Sequence, residues 1–539
     1  MKKIYILSLV PLLCSLSLKA QNINQSVEVT NTYESSFADM PKQNLALSVP
    51  DSLYRFDYDF KYTIFDPEYK GSYDFSPYRI DVRPGKMPFD GSKFYLKAGA
   101  GYRLYPVLDL MYDAVSKPGA ALSLYNFTRG YYGKSALRRE EPFDLTSYDF
   151  TQNTGLAGRW MFKGNTLDYH AAYQGLYAAS GGLQPADPQI FSGSVLHSAT
   201  VGASIRPEGR DGTFFYYDLD LDYRFNSDML ISAGNTRLQE HCLGVNATVG
   251  PVLNRKFRML IDGEFALDAV GGQTSMLAGI TPRFLFNFGA LALNVGALFD
   301  YSLTPDGGCL SAAPALEARL RLFHGRLDIF AEATGGQKLN SLHDLKSFNH
   351  FFRRDDMFST VNTRVRYDAS VGLRGSAISQ FEYGLKAGYR KVDSALMNAF
   401  LTTNFGDIQQ AYADVFLVWK SERVEFDGNF HWCNTQATNV SLNAFLPSAF
   451  SGDFRFTYNH LRRIFASLAV EGASKMKQAD HNGPSRGGYV DLSLEGEWRF
   501  SRNAGLWVKA GNLTGMAIEK VPGHVVKGPY FTGGITLKF

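Results

Sequence analysis

Long apolar runs are missing from this chain. Nothing after residue 20 approaches the roughly 18 uninterrupted apolar residues that a membrane helix needs, and the mean hydropathy is slightly negative. A helical membrane protein is thereby excluded. Cysteine is scarce: there are 4, and Cys242, Cys309 and Cys433 stand far apart with no C-x-x-C pair. Their spacing indicates neither a disulfide framework nor a zinc site. An excess of one charge sign is also lacking. Lys and Arg number 55 against 52 Asp and Glu, and loss of Lys2, Lys3 and Lys19 with a leader would balance them. No nucleic-acid partner is expected from such a chain. No cofactor motif is present either.

What is present is alternation. Phe215 to Phe225 reads FYYDLDLDYRF. Tyr217, Leu219, Leu221 and Tyr223 share one face of an extended strand, while Asp218, Asp220, Asp222 and Arg224 share the other. A helix would scatter those carboxylates around its axis. The same pattern recurs some twenty times. Glu425, Asp427 and His431 oppose Phe426 and Phe430; Glu495, Glu497 and Arg499 oppose Leu492, Leu494 and Trp498. Repetition on that scale asks for oil on one face and water on the other. The fold class expected is therefore all-β: a closed transmembrane antiparallel β-barrel of about 22 strands. Hydrocarbon cannot satisfy the free edge of an open sheet. Aromatic residues at 14% fit the girdles of such a barrel.

Three segments follow. Residues 1–20 read as an export signal, with Lys2 and Lys3, an apolar stretch to Leu16, and Leu18-Lys19-Ala20 as cleavage site. Residues 21–91 form an N-terminal extension, partly extended and without a full plug, periplasmic or lumenal. Residues 92–539 form the barrel. Short turns such as Lys163–Asn165 and Lys420–Arg423 alternate with longer connections such as Tyr132–Tyr148, Asn226–Arg237, Gly335–Phe358, Lys391–Gly406 and Asn434–Ser451. Barrels of the outer membrane have this asymmetry, which places both termini in the periplasm. Pro282 and Pro314 interrupt two strands and read as bulges or strand ends, since proline cannot donate to a ladder.

Candidate chemistry is thin. Asp218, Asp220 and Asp222 lack the glycine and downstream glutamate of a calcium loop. Asp168 and His170 share a face but have no assignable nucleophile, so no enzyme is expected. The loop clusters Arg138–Glu141 and Arg353–Asp356 read as solvated charge. Phe348, Phe351 and Phe352 suggest a contact with the loop's own fold or with a partner.

The closing stretch, Leu506-Trp507-Val508-Lys509-Ala510-Gly511-Asn512-Leu513, then Val521-Pro522-Gly523, then Gly528 to Phe539, resembles the last two strands of the barrel domain of TonB-dependent receptors. Lys93 to Tyr102, with Pro106 after it, is similar to plugless relatives of those receptors in Bacteroidota. The resemblance implies a 22-stranded barrel, outer-membrane lipid as solvent, and Phe539 as a signal to the barrel-assembly machinery. Only about seventy residues precede the barrel, so the resemblance carries over the barrel and not the energised pump. Two functions are expected from it: a channel or partner-assisted transporter for polar solutes, or an assembly subunit that docks a periplasmic or surface lipoprotein and conducts nothing.

Overall fold

The structure is a computed structural model. It describes residues 93–539 apart from 103, 118, 135–145, 182–190, 208–214, 232–236, 252–255, 324–325, 353–359, 379, 400–402, 441–443, 480–484 and 523–527. The chain divides into two units, Met1–Val49 and Pro50–Phe539, and the described residues all belong to the second. The export signal, the extension 21–91 and the charge clusters 138–141 and 353–356 lie outside the described residues.

Twenty-two strands, β1 to β22 in chain order, each pair antiparallel with the next. Closure comes from β1 (Phe94–Tyr102) against β22 (Tyr530–Lys538), in a register running from Tyr95 opposite Lys538 to Tyr102 opposite Phe531. The terminal residue extends that seam: Phe94 N–H donates to the Phe539 carbonyl and Phe539 N–H returns to the Phe94 carbonyl, both at 2.9 Å. Among the described strands no edge is left to template association with another chain.

Tight turns explain the hairpins locally. Phe162 of β4 (Thr146–Phe162) faces Asn165 of β5 (Asn165–Gly181) across Lys163 and Gly164, both with positive φ (45° and 77°). That is the two-residue turn whose twist matches the strands it joins. At the opposite end, β9 (Phe257–Val270) and β10 (Gln273–Asn287) join through Gly271 and Gly272, again both positive.

Alternation sorts the two faces. On β7 (Phe215–Ile231), Leu219, Leu221 and Tyr223 are 44%, 49% and 39% exposed, while Asp218, Asp220 and Asp222 are half-buried on the inner face. Outward aromatic rings gather in two bands. Near the short turns stand Trp160 with Phe162 (5.3 Å between centroids), Phe257 with Phe286 (5.2 Å) and Trp498 with Phe500 (5.9 Å). Toward the other end stand Tyr132 with Tyr148 (6.4 Å), Phe225 with His241 (5.1 Å) and Tyr367 with Tyr389 (6.2 Å).

Three sequence expectations need correction. Pro282 is neither a bulge nor an end, and Pro314 is paired through on the side of β11 (Leu291–Thr304), although the pairing of its strand with β13 (Leu327–Asn340) begins only at Leu316. Pro282 faces Ile261, the β10–β11 register is the same on both sides of it, and Pro314 of β12 (Gly307–Leu322) faces Ala297 of β11 (Leu291–Thr304) within unbroken pairing. A strand residue directs its N–H toward one neighbour only, so one missing donor leaves the register intact. Strands at the long-connection end also run further than expected: β7 reaches Ile231, β15 spans Phe381–Asn398, β16 Thr403–Lys420 and β17 Val424–Thr438. Beyond the second aromatic band the outer face no longer has to be apolar, so the pattern fades while the ladder continues. Finally, Gly335–Phe358 is not one loop. It holds the end of β13 (Leu327–Asn340), a helix α1 (Leu342–Phe348) and a buried turn before β14 (Val361–Ile378).

Candidate functional site: the barrel interior and its inward segment

The inner face is lined with paired charge. Asp168 sits between two guanidinium groups, Arg159 at 2.6 Å and Arg206 at 2.9 Å. His170 lies 3.2 Å from Asp222, and Tyr216 donates to Asp218 at 3.2 Å. Asp220 is in register with Asn246 of β8 (Arg237–Pro251) and Ser204 of β6 (Phe191–Pro207). Glu425 pairs with Lys420 at 3.0 Å, and Asp427 accepts from Asn429 at 3.4 Å. His431 meets Asp414 at 2.5 Å. On β20 (Tyr489–Trp498), Glu495 takes Lys97 from β1 at 2.6 Å, and Glu497 pairs with Arg499 at 2.8 Å. Leu492, Leu494 and Trp498 alternate with these acids on the outer face, with Leu494 and Trp498 about half exposed. The inner charges therefore form a self-neutralising lining rather than one concentrated site. Partly exposed pairs of this kind contribute little stability each, about 0–1 kcal/mol. Their effect is to keep the wall polar.

The inward segment was not legible as such. Ser341 caps α1: its hydroxyl accepts from Asp344 N–H, and Asp344 accepts from Ser341 N–H at 3.0 Å, a complete capping box. Ser341 three residues before Asp344, with Leu342 and Leu345 on one face, was the sequence signal for it. Leu342, Leu345 and Phe352 pack with Val270 of β9, against Leu238, Leu396 and Phe405. Phe351 packs with Ala178 of β5 and Val521 of the last connection. Burial of each such side chain is worth about 1.5–3 kcal/mol. The phenylalanines thus contact the barrel's own fold.

Polar contacts carry the segment to the far wall. His343 Nε2 meets Gln174 Oε1 on β5 at 2.6 Å, and its Nδ1 lies 3.3 Å from Arg224 on β7. Lys346 Nζ lies 3.2 Å from Asp228 Oδ1. His350 Nδ1 lies 2.9 Å from Asp149 on β4. Leu342 N–H donates to Glu240 on β8 at 2.8 Å, and Thr360 Oγ1 donates to Asp268 on β9 at 2.7 Å. A segment rooted between β13 and β14 thus touches β4, β5, β7, β8 and β9, strands well around the ring. It crosses the interior at the long-connection end.

Charge states follow from these surroundings. Burial, with Arg224 beside it, pushes the His343 imidazole down to about 4, so it is neutral at pH 7. Asp344 is also buried, which alone would raise it. Lys338 at 3.3 Å, His343 and the Ser341 hydroxyl outweigh that and bring it to about 2. Burial pushes His350 down, but the charge of Asp149 and its hydrogen bond outweigh burial and raise it.

The fold and its lining define a closed 22-stranded antiparallel barrel with an apolar outer belt and a polar interior crossed by one of its own connections. No protein-family model matches the chain, and no curated protein matches it. Solved structures do. The FrpB iron transporter from Neisseria meningitidis (F3-3 variant) is similar with a TM-score of 0.62 at 9% identity, over 84% of this chain and 82% of that one. A mutant of the ferric enterobactin receptor PfeA from Pseudomonas aeruginosa gives 0.58 at 10%, over 83% and 80%. The copper transporter OprC gives 0.59 at 11%, over 83% and 80%. At such identities the likeness is one of fold.

Proposed function

We propose that this chain is an integral barrel of the outer membrane of a Gram-negative bacterium, a non-enzymatic channel or partner-assisted transporter for polar solutes. The observation that carries the reading is the two-faced wall. An outer belt of exposed leucine, valine and aromatic residues, bounded by two aromatic bands, backs onto an inner face of alternating acids and bases. Water inside and lipid outside are the solvents those two faces match. Barrels of similar fold carry the names iron transporter, copper transporter and ferric enterobactin receptor. In this reading Tyr217, Leu219, Leu221, Tyr223, Leu492, Leu494 and Trp498 meet lipid, and both termini are periplasmic. Phe539, at the β1–β22 seam, is the signal read by the assembly machinery. Residues 1–20 are removed on export. The barrel resembles that of TonB-dependent receptors.

The inward segment favours a second reading, a barrel that docks a lipoprotein and conducts nothing. Planar-bilayer recording of the purified protein separates the two. Stable unitary conductance that grows when residues 342–352 are replaced by a short Gly-Ser linker supports passage. A silent membrane for both proteins, with a lipoprotein co-purifying in fixed ratio, would replace the channel by the scaffold.

A further inference from the structure

Behind α1 lies a cluster that the charge lining does not explain. Glu240 and Cys242 of β8 and Asp268 of β9 point to the interior, with one carboxylate oxygen, the thiol sulfur and one carboxylate oxygen all within 4.8 Å of one another. Glu240 is 0% and Asp268 3% exposed. Two carboxylates so deeply buried normally face a cation. Among the described residues neither has an ion-pair partner. Glu240 accepts only from Leu342 N–H (2.8 Å) and Asn226 Nδ2 (2.5 Å), and Asp268 from Thr360 Oγ1 (2.7 Å) and the Cys242 thiol (3.6 Å). Every one of these donors is uncharged; the cation facing the cluster is Arg224, opposite Cys242 in the β7–β8 register, and it makes no ion pair with either carboxylate among the described residues.

A second observation points the same way. Asn226, on β7, is completely buried with its amide directed at Glu240 and at Cys242 Sγ (3.9 Å), yet its Oδ1 has no hydrogen-bond partner. The two ends of an amide are interchangeable in shape. Turned over, Asn226 presents that orphaned oxygen to the cluster, an arrangement that repels a carboxylate and suits a cation.

We propose that Glu240, Cys242, Asp268 and Asn226 form a site for a single borderline divalent cation of the Zn²⁺ or Co²⁺ class. One thiolate with oxygen ligands disfavours Ca²⁺ and Mg²⁺, which take oxygen alone, and one sulfur is too few to favour a soft monovalent ion. Tetrahedral zinc places neighbouring donors roughly 3.3–3.8 Å apart, so the cluster has to close only slightly. Binding displaces to solvent the Cys242 thiol proton and the proton shared between Glu240 and Asp268, and two positive charges then oppose three negative ligands. The site does not depend on what the barrel transports. Its consequence is mechanical: Glu240 holds Leu342 and Asp268 holds Thr360, so one ion fastens both ends of the inward segment to the β8–β9 wall.

The test uses the full-length protein folded in detergent, equilibrated with Zn²⁺ alone or Co²⁺ alone and dialysed. Wild type should retain about one ion per chain, and the Co²⁺ form should show a thiolate-to-cobalt charge-transfer band. Cys242→Ser should abolish the band and weaken binding by tenfold or more, and Asp268→Asn and Glu240→Gln should weaken it likewise, whereas Cys309→Ser should change neither readout. Barrel folding of each variant is checked by its strand circular dichroism and heat-modifiable gel mobility. Folded wild type that retains no ion would overturn the proposal and leave a shared proton between the two carboxylates. Equal retention and an unchanged band in folded Cys242→Ser would overturn it too.

Discussion

Lys346 Nζ lies 3.2 Å from Asp228 Oδ1, and neither side chain reaches solvent. The same ammonium group donates to the Phe352 carbonyl and stands 5.6 Å from the centre of the Phe352 ring. Helix and turn are thereby tied to one another and to the β7 wall through a single buried charge. Such a pair is dear to break from one side, because the remaining ion stays dehydrated without a counter-charge. Loss of one partner costs about 3–5 kcal/mol, whereas replacing both by apolar residues of similar volume is often close to neutral. Lys346→Ala should therefore release α1, speeding hydrogen exchange of the backbone amides of residues 342–349. Lys346→Met combined with Asp228→Leu should restore most of the protection. If Lys346→Ala leaves those amides as slow as in wild type, the pair is not the anchor.

His350 and Asp149 form the second tie, and this one titrates. Asp149 faces the imidazole at 2.9 Å, while burial and the charges of Lys346 and Lys520 oppose its protonation. The net shift is upward, so the protonated ring binds more tightly in the folded state than in the unfolded chain. Its stabilising contribution is complete below the ordinary histidine value of about 6.5 and fades as pH climbs through the raised folded value. Exchange of amides 342–352, corrected for the intrinsic rate, should thus accelerate as pH rises above the ordinary histidine value of about 6.5. Asp149→Asn and His350→Gln should both flatten that dependence. A pH response that survives in both variants would assign it to other groups.

How much of this could be read beforehand depended on where solvent dictates the residue. Along β7, apolar residues on the outer side and polar ones on the inner side made Phe215 to Phe225 an unambiguous strand. Immediately after Phe225 the same strand continues through Asn226, Ser227 and Asp228, all buried, with no alternation to announce it. Those three lie beyond the aromatic band, where Asp228 packs against Lys346 and Asn226 against Glu240 in the interior. The charged inner face was visible as a face, but its pairing was not: Lys97 meets Glu495 only because β1 and β20 are neighbours but two after closure. Cys242 looked isolated for the same reason. Its companions come from position 240 on its own strand and from positions 226 and 268 on the two flanking strands, a constellation that sequence spacing does not encode. The reading of Pro282 failed in the opposite direction, because a rule about donors was applied without knowing which side of the strand donates.

The strongest quantitative contrast lies between two adjacent residues. Leu219 stands on the outer face between the aromatic residues Tyr217 and Tyr223, 44% exposed in the bare protein, and Asp220 stands on the inner face beside Asn246. If hydrocarbon covers the first, a charge there has to leave water with no partner to meet it. Leu219→Arg should then cost about 2–4 kcal/mol of folding free energy in a bilayer, the range for a cation near the midplane of a barrel's lipid face. Asp220→Asn should cost a small fraction of that, because the inner face stays polar and hydrated. The difference is read by guanidinium unfolding from phospholipid vesicles, followed by tryptophan fluorescence, with Leu219→Ala as the size control. A neutral Leu219→Arg would mean that water reaches both faces, and the membrane reading of the outer belt would fall with it. An Asp220→Asn penalty equal to that of Leu219→Arg would place the inner carboxylates in an anhydrous core, which no solute-bearing interior allows.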